Sequence, residues 1–361
     1  MSYRGFTVAT SRGDARLHVV KADLRGAGAG LLYPGAVADR APVSKMARDQ
    51  GAVAAVNGDF FHIAETQHPG VPVTGAPSGP AMVGGRPLKA AVPHGQRFGR
   101  TPPPGDSVEN VVGVGRDGKA RTARLTMEGH VHTGRGEIPL GGLNQYALPV
   151  GSVGVFTSQW GTASRARAVC GSDSSRAAPC TADAYEVTIR DGLVVSGSST
   201  PGTGAIDADT QVLLGREAGA QALRRLLPGQ SAHVSYGLAS TTSVPFRFAL
   251  GAHFVLRGHR PVAGLDRRTA EPRTAIGIAD GGNTVYLVAT DGREGTSSGL
   301  THHELATLMA SLGCAEALYM DGGGSSTLVT RDAESGGVDV RNHLARNQER
   351  DVPNGIAIFS R

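Results

Sequence analysis

A succession of short apolar runs separated by turns extends from Val111 to about Gly258 and limits the folds open to this chain. Runs of this kind, bounded by glycine, proline, asparagine and aspartate, are typical of β-strands. One segment in this stretch, around Glu217 to Leu227, has helical spacing instead. The sequence therefore predicts an α+β fold with a largely β-sheet core, flanking helices and no fixed-period repeat.

The composition is that of a folded, turn-rich chain. The 361 residues include 52 glycines and 20 prolines, 40% are hydrophobic and 19% are charged. These values are typical of a globular protein, and the length allows one elaborated domain or two packed ones. We find no run of about eighteen apolar residues, so we expect no transmembrane helix.

The net charge indicates which classes of molecule this protein is expected to bind. The formal charge is +5, but the arginines that supply it are scattered, and aromatic residues make up only 5% of the chain. Nucleic-acid-binding proteins usually gather their basic residues on one face and add stacking aromatics. We therefore expect no nucleic-acid partner, whereas a basic protein can still attract anionic substrates.

The C-terminal quarter gives the clearest secondary-structure signals. Ala275–Ile278 and Thr284–Thr290 read as a hairpin around a turn that contains aspartate, two glycines and asparagine. Thr301 and Glu304 form a capping box at the start of an amphipathic helix. A strand, Ala315 to Met320, follows that helix. It leads directly to Asp321 and to the three glycines Gly322–Gly324, which are called the glycine run below.

This strand–helix–strand order predicts a parallel pair of strands with a right-handed crossover. Ligands of such units bind beyond the carboxyl ends of the strands. Asp291 and Asp321 both stand at such ends. We therefore predict that this C-terminal unit carries the site.

Residues 321–327, DGGGSST, combine an acid, three glycines and three hydroxyl side chains. The N–H groups of Gly322, Gly323, Gly324 and Ser325 could form a concave nest for an anion, with hydroxyl groups as further donors. A tight glycine turn without a ligand is the alternative, and the acid and hydroxyls favour the site. Because no lysine follows the glycines, the segment is not a nucleotide-triphosphate loop.

Two other motifs resemble parts of a site. Asn57, Gly58 and Asp59 follow a predicted buried strand, although an ordinary Asn-Gly turn is the alternative. Arg273 stands just before a strand, where its planar fork could hold a phosphate or carboxylate, although most such arginines are surface residues.

Metal and serine chemistry are weaker interpretations. His302, His303 and Glu304 lack the spacing of a zinc-binding helix, and we predict no metal site. The segment GTSSG, residues 295–299, matches a nucleophile-elbow pattern centred on Ser297. Because the preceding strand ends several residues earlier, a serine esterase remains only an alternative.

The cysteines suggest an oxidising compartment. Cys170 and Cys180 flank a polar loop that a disulfide could close, and Cys314 adjoins an apolar unit. Three free thiols in a cytosolic protein are the alternative. The first twenty residues lack the order of a signal peptide. We therefore expect a secreted protein with a trimmed leader, or a cytoplasmic one if Met1 is native.

The motifs NGDFF, PRTAIG, the segment from VATDGR to SSTLV, and RNHLARNQERDVPNGIAIF occur in that order. In this combination the chain resembles the phosphodiester glycosidase family from about Ala52 to its C-terminus. The resemblance implies hydrolysis of the bond between a sugar's anomeric carbon and a phosphodiester oxygen. The family's animal member acts on an N-acetylglucosamine phosphodiester. We predict this domain over residues 51–361, with a β-rich insertion around 111–258 and N-terminal strands over 1–50.

The resemblance also implies which residues meet in the pocket. Asp321 or Asp59 would be base or nucleophile, and Asp291 would position sugar hydroxyls. The implied substrate- and phosphate-binding residues are Asn57, Gly58, Arg273, Gly322, Gly323, Gly324, Ser325, Ser326, Asn342, Glu349 and Arg350. A proline often follows the late asparagine in the family, and it is absent after Asn342.

No cofactor is required by this chemistry, although clustered acids could hold Ca²⁺ or Mg²⁺ near the phosphate. The alternatives in other functional classes are a phosphodiesterase, the serine esterase above, and a non-catalytic module that binds sugar phosphates. The sequence does not predict the oligomeric state.

Overall fold

A computed structural model describes residues 1–291, 297–332 and 334–360. Strands account for 42% of the structure and helices for 12%. Over the described residues there are 23 strands and three α-helices, numbered below in chain order. The predicted α+β class with a largely β core is therefore confirmed.

The first sheet has seven strands, and every neighbouring pair in it is antiparallel. Its spatial order is β1 (Ser2–Thr10), β2 (Gly13–Asp23), β19 (Thr284–Thr290), β18 (Thr274–Ala279), β20 (Glu316–Tyr319), β16 (His253–Arg257) and β17 (Arg260–Pro261). Helix α3 (His302–Ser311) begins with the predicted capping box of Thr301 and Glu304. Its buried residues Leu305 and Met309 pack against this sheet.

The predicted parallel pair is wrong in one respect. Strands β19 and β20 do run in the same direction, but β18 lies between them and is antiparallel to both. The hairpin of β18 and β19 leaves one edge of β18 open, and β20 pairs with that edge. The ends of β19 and β20 therefore lie at the same sheet edge but two strand spacings, roughly 10 Å, apart.

The second sheet has eleven strands and contains most of residues 110–251. Its order is β12 (Leu193–Ser198), β11 (Ala184–Arg190), β13 (Thr210–Arg216), β10 (Val153–Phe156), β9 (Gly136–Leu143), β8 (Ala120–Thr133), β7 (Asn110–Gly115), β15 (Phe246–Gly251), β5 (Ala81–Val83) and β6 (Arg86–Lys89), with β14 (Ala232–Ser240) paired to β8. Helix α2 (Ala218–Leu223) is shorter than the predicted helix. Pro228 disfavours helical geometry in the residue before it, which helps to explain the early end.

The third sheet has five strands. They include strands near the start and near the end of the segment that resembles the family, which begins at about Ala52. Its order is β22 (Val338–Val340), β21 (Leu328–Arg331), β4 (Ala54–Asn57), β23 (Gly355–Ser360) and β3 (Ala27–Leu32). Helix α1 (Val43–Asp49) covers it with Val43, Met46 and Ala47. Residues 1–50 thus supply strands to the first and third sheets as well as this helix.

The glycine run is the passage between two sheets. The chain leaves β20 of the first sheet, turns through Gly322–Gly324 and enters β21 of the third sheet. At this passage the Asn57 side chain donates to the Asp321 carbonyl (2.7 Å) and accepts from Thr274 Oγ1 (2.7 Å) and from the Thr327 N–H (3.0 Å). One buried amide therefore joins both sheets and the turn.

The predicted disulfide is present. Cys170 and Cys180 are bonded, with an S–S distance of 1.98 Å, and Cys314 is a buried free thiol. Within the described parts of the chain, none of the helices has the length and apolar character needed to cross a membrane.

We predict that Asn57→Ala lowers the free energy of unfolding by roughly 2–5 kcal/mol, because it leaves three buried polar groups without their partner. Urea unfolding measures this. Asn283→Ala is the matched control, since the Asn283 amide donates locally to the Asp280 carbonyl (2.8 Å) and its loss should cost less than about 1 kcal/mol. Equal losses in the two variants would contradict the assigned role of Asn57.

Candidate active site

The candidate pocket lies where the first and third sheets meet, and its volume is about 220 Å³. Its lining residues are Phe60, Gly99, Arg100, Glu271, Arg273, His302, Tyr319, Asp321, Gly322, Gly323, Gly324 and Arg350. Larger cavities of about 540 and 690 Å³ lie on other faces. We select the smaller one because three guanidinium groups and two carboxyl groups converge there, which is the pattern of a functional site.

Each of the three glycines in the run has its own reason to lack a side chain. A Cβ on Gly322 would lie 2.7 Å from the Pro272 carbonyl oxygen, and one on Gly324 would lie 2.5 Å from Arg350 Nη2. Gly323 has a φ of +58°, which L side chains rarely adopt. The groups that approach the run closely are therefore a backbone carbonyl and an arginine of this protein.

The predicted nest of four N–H donors is only partly available. The Gly323 N–H donates to the Pro272 carbonyl (2.9 Å) and the Ser325 N–H donates to the Gly322 carbonyl (3.1 Å). The Gly322 N–H lowers the pKa of the adjacent Asp321 carboxyl group. The run folds as a 3₁₀ turn, Gly323–Ser325, which uses its own carbonyls. The Gly324 N–H, beside Arg350, is left to face a ligand.

Asp321 presents its carboxyl group to the pocket. Its Oδ2 accepts from Ser325 Oγ (2.6 Å), and that hydroxyl accepts from Arg350 Nη1 (3.2 Å). Burial raises the pKa of Asp321 to about 6, the nearby Asp59 adds to the rise, and the Ser325 hydrogen bond and the Arg350 charge oppose it. This carboxyl group therefore changes its charge within the range where many enzymes work.

Asp59 lies beneath the pocket rather than on its wall, with 3% of its surface exposed. Its Oδ2 accepts from the Gly79 N–H (2.5 Å), and its own N–H donates to Asn354 Oδ1 (2.9 Å). Burial raises the pKa of Asp59, while the charge of Lys89 opposes the rise. A Cβ on Gly79 or Gly251 would lie within 3 Å of Oδ2, so both glycines are needed to admit this carboxyl group.

Lys89 is a buried cation that sequence reasoning missed. Its Nζ donates to the carbonyls of Gly79 (2.6 Å), Ala90 (2.5 Å) and Ser78 (3.3 Å). Burial lowers the pKa of Lys89, and the charge of Asp59 opposes this. Because three acceptors match the three N–H groups of an ammonium ion, we assign Lys89 as protonated, and its positive charge acts on Asp59.

Three arginines give the pocket its positive character. Arg273 is buried, and its Nε and Nη2 donate to the carbonyls of Leu300 and Thr269 (2.9 Å each). Arg100 Nη2 donates to Glu271 Oε1 (2.9 Å), and Glu271 Oε2 lies 3.7 Å from Arg273 Nη1. Glu271 thus holds the two guanidinium groups in place, while Arg350 lies on the far side of the glycine run.

Aromatic rings form the remaining wall. Phe60 meets Tyr319 edge to face, with ring centroids 6.0 Å apart, and His302 lies 4.2 Å from the Tyr319 centroid. Burial and the charge of Arg273 lower the pKa of His302 to about 3, so its imidazole is neutral. Burial also raises the pKa of Tyr319.

Several predicted binding residues support the turn instead of lining the pocket. The Asn57 amide is bonded to protein groups, and Gly58 accepts from the Asp321 N–H (2.9 Å) beneath the pocket. Asn342 accepts from the Leu328 N–H (2.7 Å) and donates to the Ser326 carbonyl (2.9 Å). These residues hold the chain before and after the glycine run, and none of them is part of the lining.

Asp291 is not brought together with Asp321 in the lining. Its Oδ1 accepts from His18 Nε2 (2.8 Å) and from the His343 N–H (2.7 Å), and Arg16 Nε lies 3.9 Å from its Oδ2. Burial would raise the pKa of Asp291, but these hydrogen bonds hold it below its usual value. The carboxylate therefore joins strand β2 to the loop that begins at Arg341.

Glu349 borders an adjoining cavity of about 540 Å³, which shares Gly324 and Arg350 with the pocket. Its Oε2 accepts from the Ser44 N–H (3.0 Å) at the start of helix α1. The cavity continues past Gln348 and Asp351, so the pocket opens toward a polar outer region.

The serine of the elbow pattern lies elsewhere. Ser297 is buried, its Oγ accepts from the Arg16 N–H (3.3 Å), and it is absent from the pocket lining. Gly295 and Thr296 of that pattern lie outside the described residues.

The sequence model of the phosphodiester glycosidase family matches residues 183–359, just under half of the chain. The match includes Arg273, Asp321 and Arg350, whereas Asn57 and Asp59 precede it. In a comparison with curated proteins, 61 residues are 43% identical to an uncharacterized SPβ prophage-derived protein of Bacillus subtilis strain 168. The aligned part is 17% of this chain and 9% of that protein.

Solved structures share the fold. A hypothetical protein of Synechocystis superposes with a TM-score of 0.73 at 20% identity, over 99% of this chain and 62% of that one. A protein of Burkholderia pseudomallei K96243, described as a candidate exported protein, superposes with a TM-score of 0.71 at 24% identity, over 96% of this chain and 74% of that one. At these sequence identities the two superpositions show a shared fold only.

The pKa of Asp321 predicts how its replacement changes stability. The folded pKa, about 6, exceeds the ordinary value of 3.8, so the ionised carboxylate penalises the folded state above pH 6 and the penalty vanishes below about pH 4. Asp321→Asn should therefore raise the free energy of unfolding by roughly 3 kcal/mol at pH 8 and leave it unchanged at pH 4.

Urea unfolding at both pH values tests this expectation. Asp332→Asn is the control, because hydrogen bonds from Ser335 hold the pKa of this exposed acid below its usual value, and its replacement should bring no gain at pH 8. The same change in stability for Asp321→Asn at both pH values would contradict the assigned environment.

Proposed function

We propose that this chain, whose residues 183–359 match the model of the phosphodiester glycosidase family, hydrolyses the glycosidic bond of a sugar 1-phosphodiester and releases a sugar and a phosphomonoester. The observation that carries this proposal is the placement of the Asp321 carboxyl group on one wall with three arginines. An anion bound by the arginines would hold the neighbouring anomeric carbon close to that carboxyl group.

The phosphodiester would bind between Arg350, Arg273 and the Gly324 N–H. Arginine forks suit phosphate oxygens because they donate two parallel hydrogen bonds. Arg100, at the mouth, would attract the anion during approach. In this proposal the glycine run offers the anion a backbone without side chains beside Arg350. It does not offer the four N–H donors that the sequence predicted.

Asp321 would act as base or nucleophile at the anomeric carbon. Glycoside hydrolysis passes through an oxocarbenium-like transition state that a nearby carboxylate stabilises. A phosphomonoester is a far better leaving group than an alcohol, so the arginines can neutralise the departing oxygen without a general acid. This division of roles needs Asp321 ionised, as it is above pH 6.

The other two predicted acids would act on the residues around the pocket. Asp59, on which the charge of buried Lys89 acts, would keep negative potential behind Asp321 and thereby raise its pKa. Asp291 would fix the loop that leads to Arg350 through its bond to the His343 N–H. The group on the far side of the phosphate would extend into the outer cavity beside Glu349.

The proposed reaction requires no cofactor. Ca²⁺ or Mg²⁺ bound by Asp321 or Glu271 beside the phosphate is the alternative, and loss of turnover in EDTA with recovery on adding either ion would establish it. We also propose that the protein works outside the cytosol, which the Cys170–Cys180 disulfide and the likeness to a candidate exported protein support.

The first test uses α-N-acetylglucosamine linked to methyl phosphate or mannosyl phosphate in ¹⁸O-labelled water. We expect label on the anomeric carbon of the released sugar. We expect Asp321→Asn to lower turnover at least about a hundredfold while remaining folded. Asp280→Asn, on an exposed turn, is the control and should retain turnover.

Other outcomes would replace the proposal. Label on phosphorus would indicate a phosphodiesterase, and binding without product would indicate a binding module. Fluorophosphonate labelling of Ser297 with loss of turnover would indicate a serine esterase.

We also predict the pH dependence of kcat/KM, which reports the free enzyme. If ionised Asp321 is required, kcat/KM should rise about tenfold per pH unit below pH 6 and level off above it. Initial rates between pH 4 and pH 8 measure this. A profile that falls through pH 6 would instead assign Asp321 as a general acid.

A further inference from the structure

Two buried polar atoms in the pocket wall have no hydrogen-bond partner among the described residues. They are the hydroxyl of Tyr319, which is 2% exposed, and Nε2 of His302, which is 5% exposed. Both side chains line the pocket, and their ring centroids are 4.2 Å apart. A buried polar group without a partner costs roughly 1–3 kcal/mol, so two of them side by side in a pocket point to a ligand.

The chemistry of these atoms indicates which part of a ligand they would meet. A neutral imidazole offers one N–H donor and one acceptor nitrogen, and a phenol both donates and accepts. A phosphate is better matched by groups that only donate, such as Arg273 and Arg350. A neutral fragment that carries hydroxyl groups, each of which donates and accepts, suits Tyr319 and His302.

Phe60 adds an apolar surface beside these two atoms. Its ring is partly exposed and meets Tyr319 edge to face. The carbon-bearing face of a pyranose could pack on such a ring, while the ring hydroxyls point toward the polar atoms. The arginines on the other side of the pocket would then hold the phosphate.

Resting on the proposed function, we propose that Tyr319 and His302 form the sugar subsite, which binds ring hydroxyls of a pyranose through the Tyr319 hydroxyl and His302 Nε2. Both atoms are closed to water in this structure. A sugar that reaches them must shift Phe60 or the segment at Gly99, whose Cβ, if present, would lie 2.5 Å from the Phe60 ring. Sugar binding is thus coupled to a small opening of this wall.

Tyr319→Phe and His302→Phe test the subsite, because each keeps a ring and removes the polar atoms. For each variant we expect KM for the sugar phosphodiester to rise roughly 3- to 12-fold. Inhibition by inorganic phosphate should be unchanged. Tyr319→Phe should not lower the stability of the fold, since it removes a hydroxyl that has no partner.

Tyr146→Phe is the matched control. The Tyr146 hydroxyl is fully buried outside the pocket, donates to the Gln96 carbonyl (2.8 Å) and lies 3.0 Å from Ser78 Oγ. Its removal should lower the stability and leave KM unchanged. The opposite responses of two buried tyrosines separate ligand contact from packing.

Calorimetry with N-acetyl-α-glucosamine 1-phosphate and with inorganic phosphate separates this inference from the proposed reaction. Weaker binding of the sugar phosphate alone in both variants would support the subsite even if no substrate were hydrolysed. Hydrolysis with unchanged KM and unchanged sugar-phosphate affinity in both variants would overturn the subsite and leave the proposed function standing. Equal affinity of the unmodified protein for the two probes, or binding of neither, would also overturn it.

Discussion

The buried amide of Asn57 is the interaction on which the site depends. It stands at the end of β4 in the third sheet and bonds to Thr274 of the first sheet, to the Asp321 carbonyl and to the Thr327 N–H. The pocket lies where these two sheets meet, and the glycine run passes from one to the other. Asn57, which the sequence suggested as a ligand-binding residue, therefore lies beneath the pocket and holds the backbone of the acid that faces it.

Charge is arranged in two layers at this junction. The inner layer contains Lys89 and Asp59, whose charges act on each other, and backbone carbonyls accept the hydrogen bonds of the ammonium group. The outer layer sets Asp321 against arginines, with its pKa raised mainly by burial. A buried carboxylate costs stability at neutral pH. In the outer layer this cost falls on Asp321, whose carboxyl group lies on the pocket wall, which is the pattern expected where function competes with stability.

The sequence predicted the features that depend on neighbouring residues. The hairpin before Asp291, the capping box of Thr301 and Glu304, and the disulfide are all present. It failed where distant segments decide the outcome. Strand β20 pairs with β18 because the hairpin leaves that edge open, and no local pattern shows this. Arg100 and Lys89 reach the site from separate loops and strands, and neither stands in a recognisable motif.

The glycine run shows how a local sequence pattern can be interpreted for an incomplete reason. The sequence indicated that something approaches the backbone at Gly322–Gly324, and the prediction assigned this role to an anion alone. In the structure the Pro272 carbonyl meets Gly322 and the guanidinium group of Arg350 meets Gly324. A side chain at Gly324 would therefore displace that guanidinium group from the pocket wall. The glycines are thus required by the arrangement of the protein's own groups.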